Sequence, residues 1–195
     1  MSKILAFGAS NSKNSINNKL ATYTVNMIAP DESIIIDLND FEMPIYSEDR
    51  EKIEGIPEKA LKFKKLISEC DGIVISLAEH NGAYTAAFKN IFDWISVVEK
   101  LVWCNKPLFL LAASNGSNGA KTVLKIAEER FSRQSNFIIP VFSFPNFSDD
   151  FSDKDGITNK SLNNNFEIQI RDFKNQVELS LCLLYTSDAA DDRNC

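Results

Sequence analysis

Five short apolar runs recur along the chain, at 3–8 (KILAFG), 33–38 (SIIIDL), 71–78 (DGIVISLA), 106–113 (KPLFLLAA) and 136–142 (NFIIPVF). Each has the length of a strand and lacks polar–apolar alternation, as expected of strands covered on both faces. Segments of helical period lie between them. In 16–28 (INNKLATYTVNMI), Ile16, Leu20, Tyr23, Val25 and Met27 fall near helical spacing, and Pro30 ends the run. In 58–70, Leu61, Lys64, Ile67 and Cys70 are in phase. Phe88, Ile91, Phe92, Ile95 and Val98 share one face of the next helix. Two further helices are predicted over 120–133 and 161–179.

This alternation predicts an α/β fold. Parallel strands need crossover helices, and right-handed crossovers place those helices on both faces of an open sheet. Five strands favour a flavodoxin-like, doubly wound parallel sheet of order 2-1-3-4-5 over the six-stranded dinucleotide-binding order. Residues 39–57 carry Pro44, Gly55 and Pro57 and read as a long connection. A polar loop rich in Asp, Asn and Ser separates the fifth strand from the closing helix.

In such sheets ligands bind beyond the carboxyl ends of the strands. Three loops meet there: 9–17, 79–85 and 113–119. The first is crowded with Ser10, Asn11, Ser12, Asn14, Ser15, Asn17 and Asn18, directly before a helix N-terminus. Free N–H groups and the helix dipole favour an anion at that point, and Ser and Asn add neutral donors. Plain N-capping by Ser15, Asn17 or Asn18 accounts for one such residue and not for this density. The loop therefore reads as a phosphate cradle. It lacks GxGxxG, which disfavours a dinucleotide fold. In the later GSNGAKT (116–122), Ala120 separates Gly119 from Lys121, so the P-loop pattern and nucleoside triphosphate hydrolysis are rejected.

The 27 acidic and 21 basic residues give a net charge of -6. That opposes a general nucleic-acid or anionic-membrane surface. No apolar run is long enough to span a bilayer, and MSKILAFGAS has no signal-peptide core. Cys70, Cys104, Cys182 and Cys195 form neither a CxxC pair nor a metal spacing, and read as reduced thiols of a cytoplasmic protein. His80, the single histidine, has no partners at metal-ligand spacing and no adjacent nucleophile. It reads as a loop residue, so neither a catalytic side chain nor a metal site is assigned. KFKK at 62–65 reads as a solvated helix face with one buried Phe, and Phe88, Phe92 and Trp94 as core.

CLLYTSDAADD (182–192) matches the in-frame translation of a transposon-end adapter oligonucleotide, so the expected single domain is 1–181 and the expected non-native tail 182–195.

Loops one and two together resemble the NADPH-dependent FMN reductase family, over residues 1 to about 140. The family's phosphate loop, approximately G-S-x-R-x-x-S-x-N, falls on Ala9 to Asn17. Its flavin loop, P-E-Y-N-G-S, falls on Ala78 to Ala83, and the following K-N-x-x-D-W falls on Lys89 to Trp94. Ser12 stands where the family has arginine, removing a bidentate donor that the point charge of Lys13 replaces only in part. Ala78 replaces the proline and His80 the tyrosine.

The resemblance implies non-covalent FMN. Ser10, Ser12, Ser15, Ile16 and Asn17 would hold its phosphate; Glu79, His80, Asn81 and Gly82 would line the isoalloxazine; Ser114, Asn115 and Gly116 would close its far edge. It implies an NAD(P)H oxidoreductase in which nicotinamide passes a hydride to FMN. A small acceptor, such as a quinone, azo compound, metal oxyanion or free flavin, then takes the same place. A homodimer or homotetramer is implied, and NADPH is not distinguished from NADH. Two alternatives stay open: a flavodoxin-type electron carrier, and a non-catalytic domain whose flavin site has decayed.

Overall fold

The computed structural model describes residues 2–191, with side chains to residue 183. The chain alternates as the apolar runs predict. Strand β1 (Ile4–Ala9) leads into α1 (Ile16–Ile28), and β2 (Ser33–Ile35) follows. A single 3-10 turn (Leu38–Phe41) and a short helix, α2 (Glu48–Glu54), precede α3 (Glu58–Ser68). Then come β3 (Gly72–Leu77), a small hairpin of β4 (Glu79–His80) and β5 (Ala83–Tyr84), and α4 (Ala86–Val98). Strand β6 (Leu108–Ala113), α5 (Lys121–Ser132) and β7 (Val141–Phe144) complete the sheet. After α6 (Phe147–Asp150), β8 (Phe151–Ser152) and β9 (Gly156–Ile157), the long α7 (Lys160–Asp191) closes the fold.

The main sheet has five parallel strands in the order β2-β1-β3-β6-β7, the predicted 2-1-3-4-5 arrangement. Successive side chains of a strand point to opposite faces, and both faces here are dry. Leu5, Phe7 and Ala9 of β1 join the core made with α3, α4 and α5. Ile4 and Ala6 join the core made with α1 and α7, where Phe166, Ile170, Phe173 and Val177 form the α7 stripe. This double burial explains why the strands read as unbroken apolar runs.

Several expectations change. The long connection contains α2, which Ser47 caps by accepting from the Arg50 N–H. The fifth strand begins later than 136: Pro140 has no N–H, and its carbonyl accepts from Leu110 to open the β6–β7 ladder. The 62–65 face is not all solvated, because Lys64 is buried. Its Nζ donates to the carbonyls of Leu101 (2.7 Å) and Val102 (2.6 Å) and meets Glu99 Oε2 at 3.0 Å. Loop carbonyls arriving from elsewhere in the fold supply the partners that let an ammonium be buried. Leu61, expected on the inward face, is exposed.

Phe88, Phe92 and Trp94 are core, as read from the sequence. The helical backbone of α7 runs past the expected tail boundary. Leu181 still packs partly against the core, and Cys182 is exposed. Among the described residues no helix is long and apolar enough to cross a membrane.

Candidate functional site

The site is built at the carboxyl ends of β1, β3 and β6. Gly8 lets α1 start hard against β1: a Cβ there would lie 2.5 Å from the Asn18 backbone nitrogen. Ser15 caps α1, its Oγ accepting from Asn18 N–H at 3.3 Å. Ser10 Oγ accepts from Ser12 N–H at 3.2 Å. Both hydroxyls are buried and both act here as acceptors, so each retains its proton for a further acceptor. The first-turn N–H groups of Ile16 and Asn17 have no intrahelical acceptor. Asn11, Ser12, Lys13 and Asn14 are exposed around them. No acidic residue occurs from Ala9 to Lys19, and Asp153, which approaches Lys19 at 3.1 Å, is matched by that lysine. Buried hydroxyls with protons to donate, free helix N–H groups and a nearby carboxylate already paired with Lys19 fit a phosphate.

Asn17 differs from the sequence reading. Its side chain turns inward: Oδ1 accepts from Ala113 N–H (2.9 Å) and Ser76 Oγ (2.8 Å), and Nδ2 donates to the Ala113 carbonyl (3.1 Å). The amide is spent on bracing α1 against β3 and β6, leaving Asn17 only its backbone N–H to offer. Asn18 is partly spent too, accepting from Gly8 N–H at 3.4 Å.

The second loop is a hairpin. Glu79 pairs with Tyr84 and His80 with Ala83, around a two-residue turn at Asn81 (φ 53°) and Gly82 (φ 74°). Two positive φ values match the twist of a tight hairpin, and Asn-Gly is the pair that adopts them most readily. That dipeptide was the available signal in the sequence. His80 and Asn81 are exposed on this turn. Glu79 reaches across to α5, where its Oε2 accepts from Val123 N–H at 3.0 Å. Buried Thr85 caps α4 and donates to the Ala9 carbonyl at 2.9 Å, joining loop two to loop one. Sequence reasoning missed Thr85, whose cap position before an apolar helix was its only trace.

The third loop is knitted to the segment after β7. Ser114 N–H donates to Phe144, and the Ser114 carbonyl accepts from Phe147. The Gly116 carbonyl accepts from Gly119 and Asn146 N–H and from Ser114 Oγ. Asn115 Oδ1 accepts from Ser148. Ser114 and Gly116 therefore shape the loop, while Asn115 and Gly116 lie exposed at its tip.

The K-N-x-x-D-W segment has a separate task. Asn90 Nδ2 donates to the carbonyls of Met43 and Pro44, its Oδ1 accepts from Tyr46 N–H at 2.9 Å, and Trp94 Nε1 donates to Pro44 at 2.7 Å. These bonds pin the 43–46 connection to α4, and Lys89 pairs with Asp93 at 2.7 Å on the exposed side.

Two clefts flank the first loop. One, of about 370 Å³, runs past Lys13, Asn14, Ser15 and Tyr23; the other, of about 210 Å³, runs past Asn11, Met43, Ala87 and Asn90. A cavity of about 310 Å³ at Ile4, Pro30 and Lys174 lies at the opposite, amino end of β1 and does not belong to this site. Among the described residues no cluster of His, Cys, Asp and Glu could hold a metal ion.

Known proteins resemble this chain in sequence and in fold. The family model described as NADPH-dependent FMN reductase matches residues 2–147. A 2-hydroxy-1,4-benzoquinone reductase of Burkholderia sp. is 31% identical over 60% of this chain and 63% of its own length. An NADPH azoreductase of Bacillus sp. (strain OY1-2) is 32% identical over 48% of this chain and 49% of its own. The chain thus spans less than two thirds of the length of these relatives. The solved structure of FerB, a flavoenzyme NAD(P)H:(acceptor) oxidoreductase from Paracoccus denitrificans, superposes with a TM-score of 0.72 at 19% identity, covering 92% of this chain and 99% of that one.

Proposed function

The chain belongs to the NADPH-dependent FMN reductase family, and from that premise we propose that it is an FMN-dependent NAD(P)H oxidoreductase acting on small acceptors, with quinones and azo compounds foremost. The relatives named for benzoquinone and azo reduction support that choice of acceptor. Bound FMN would supply two-electron transfer between nicotinamide and acceptor.

The observation that carries the reading is the donor set of the first loop. Ser10 and Ser15 would donate their free hydroxyl protons to the phosphate, and Ile16 and Asn17 their first-turn N–H groups. Lys13 would add a point charge where the family has an arginine. The backbone of the Glu79–Tyr84 hairpin would face the ring, with Asn115 and Gly116 at the far edge. His80 is exposed on the turn and would position the ring without taking a proton-transfer role. The proposed protein is cytoplasmic and a homodimer or homotetramer; exposed Ile45 and Ile53 offer apolar surface for association.

The test is an absorbance spectrum of the purified protein with added FMN, followed by anaerobic NADPH. Expected are a bound-flavin spectrum and rapid bleaching, then recovery on adding a benzoquinone. Tight FMN without bleaching would favour an electron carrier. A protein that ignores FMN would indicate a decayed site, consistent with Ser12 in place of arginine.

A further inference from the structure

Helix α5 has an unusual start. Its cap residue, Ala120, sits in the left-handed region (φ 54°, ψ 35°) and offers no side-chain acceptor, and its first turn carries no acidic residue. Helices ordinarily fill this position with Ser, Thr, Asp or Asn. Here the acceptor comes from 44 residues away in sequence, as Glu79 Oε2 on Val123 N–H at 3.0 Å. A carboxylate at a helix N-terminus meets both a hydrogen-bond donor and the positive end of the dipole. One further contact holds the hairpin to the same helix: the Tyr84 ring stacks on Phe131 at 6.4 Å and 4°.

We infer that Glu79 is a positioning residue: its carboxylate is an internal cap for α5 that fixes the Glu79–Tyr84 hairpin against the start of that helix, and so sets the wall on which the flavin ring would rest. The α5 N-terminus is thereby filled by the protein's own anion. The cofactor phosphate is left with α1, which imposes one orientation on the ligand, phosphate at loop one and ring at the hairpin. The role of Glu79 in ligand binding rests on the FMN reading above; its role as a cap does not.

The test uses Glu79→Ala and Glu79→Gln in the full-length protein. The first readout is amide hydrogen exchange at Val123 without flavin. Exchange is expected to quicken at least tenfold in Glu79→Ala and to be largely restored in Glu79→Gln, whose amide oxygen still accepts. The second readout compares FMN with riboflavin. Glu79→Ala is expected to weaken both by about the same factor, near tenfold, because the hairpin faces the ring and not the phosphate. Unchanged Val123 exchange in Glu79→Ala would overturn the cap. A loss confined to FMN would overturn the positioning role and place Glu79 at the phosphate end. If neither wild type nor variant binds any flavin, the functional reading fails while the exchange result still decides the cap.

Discussion

The side-chain amide of Asn17 closes on the backbone of Ala113 from both sides, accepting its N–H at 2.9 Å and donating to its carbonyl at 3.1 Å. Ser76 Oγ completes the set by donating to the same Asn17 oxygen. One buried amide thus joins α1, β3 and β6 at the point where the three loops of the candidate site begin. Asn17→Ala would orphan the Ala113 N–H and carbonyl, at about 1–3 kcal/mol for each buried group left unpaired. Urea unfolding is expected to show that loss. FMN and riboflavin affinity should fall together, since the frame shifts and no phosphate donor is removed. A loss confined to FMN would show that the Asn17 side chain turns outward to the ligand.

Ser15 is the contrasting case. Ser15→Ala removes an N-cap, worth about 1 kcal/mol of stability, and a hydroxyl proton aimed at the proposed phosphate. FMN affinity is expected to drop by roughly 1.5–3 kcal/mol, the worth of a hydrogen bond to a charged group, and riboflavin affinity by much less. Ser12→Arg should tighten FMN by supplying the donor fork that other family members carry. Titration calorimetry with both ligands measures these differences; equal losses in Ser15→Ala would remove the phosphate from this loop.

Lys64 holds the chain leaving α4 by two carbonyls and Glu99. Lys64→Ala leaves the Leu101 and Val102 carbonyls without their donor, and a loss of about 1–3 kcal/mol is expected. Glu99→Gln should cost less, because Glu99 is half exposed and its charge is already solvated. Hydrogen bonding to Lys64 holds the Glu99 carboxyl below its ordinary range. A depressed carboxyl favours folding above its unfolded range, and that contribution fades as the pH falls through the folded one. Thermal melts of both variants at neutral and acid pH test the ordering.

Burial pushes the Cys70 thiol up to about 12, against an ordinary value of 9.0. Burial likewise raises the Tyr84 phenol to about 12 from 10.0, opposed by the charge of Arg130. In both groups the folded state holds its proton after the unfolded state has released it. Stability is therefore expected to fall as the pH rises from about 9 toward about 12. Cys70→Ala and Tyr84→Phe should each flatten that decline in a urea series. In the native protein at pH 8, a maleimide should label Cys104 and Cys182 and leave buried Cys70 unmodified until denaturant is added.

We propose that the segment from Cys182 to Cys195 adds nothing to the fold. Leu181 packs partly against the core beside the α7 stripe, and Cys182 next to it is exposed. Deleting the segment is expected to leave the melting temperature and flavin binding nearly unchanged. A large drop in melting temperature would assign the segment to the domain.

Sheet order was legible in the residues, and so was the place where a candidate ligand site would lie. Strands buried on both faces need unbroken apolar runs, and parallel strands need intervening helices, so the period of the pattern alone specifies a doubly wound sheet and puts the ligand loops at its carboxyl edge. The crowding of Ser and Asn before α1 pointed to an anion for an equally local reason, since a helix start exposes donors wherever it occurs. What the residues could not disclose is the direction of each polar side chain. Ser15 and Asn17 look alike in sequence, yet one faces the loop and the other is claimed by Ala113. Lys64 reads as a surface charge until two loop carbonyls arrive over it. Glu79 reads as a loop residue until α5 begins without a cap. In each case the deciding partner lies far along the chain, and a buried polar group turns toward whichever donor or acceptor packing brings within reach. Local pattern therefore determined the architecture and the place of the candidate site. Tertiary packing decided which side chains remain free to meet a ligand and which are spent in holding the frame.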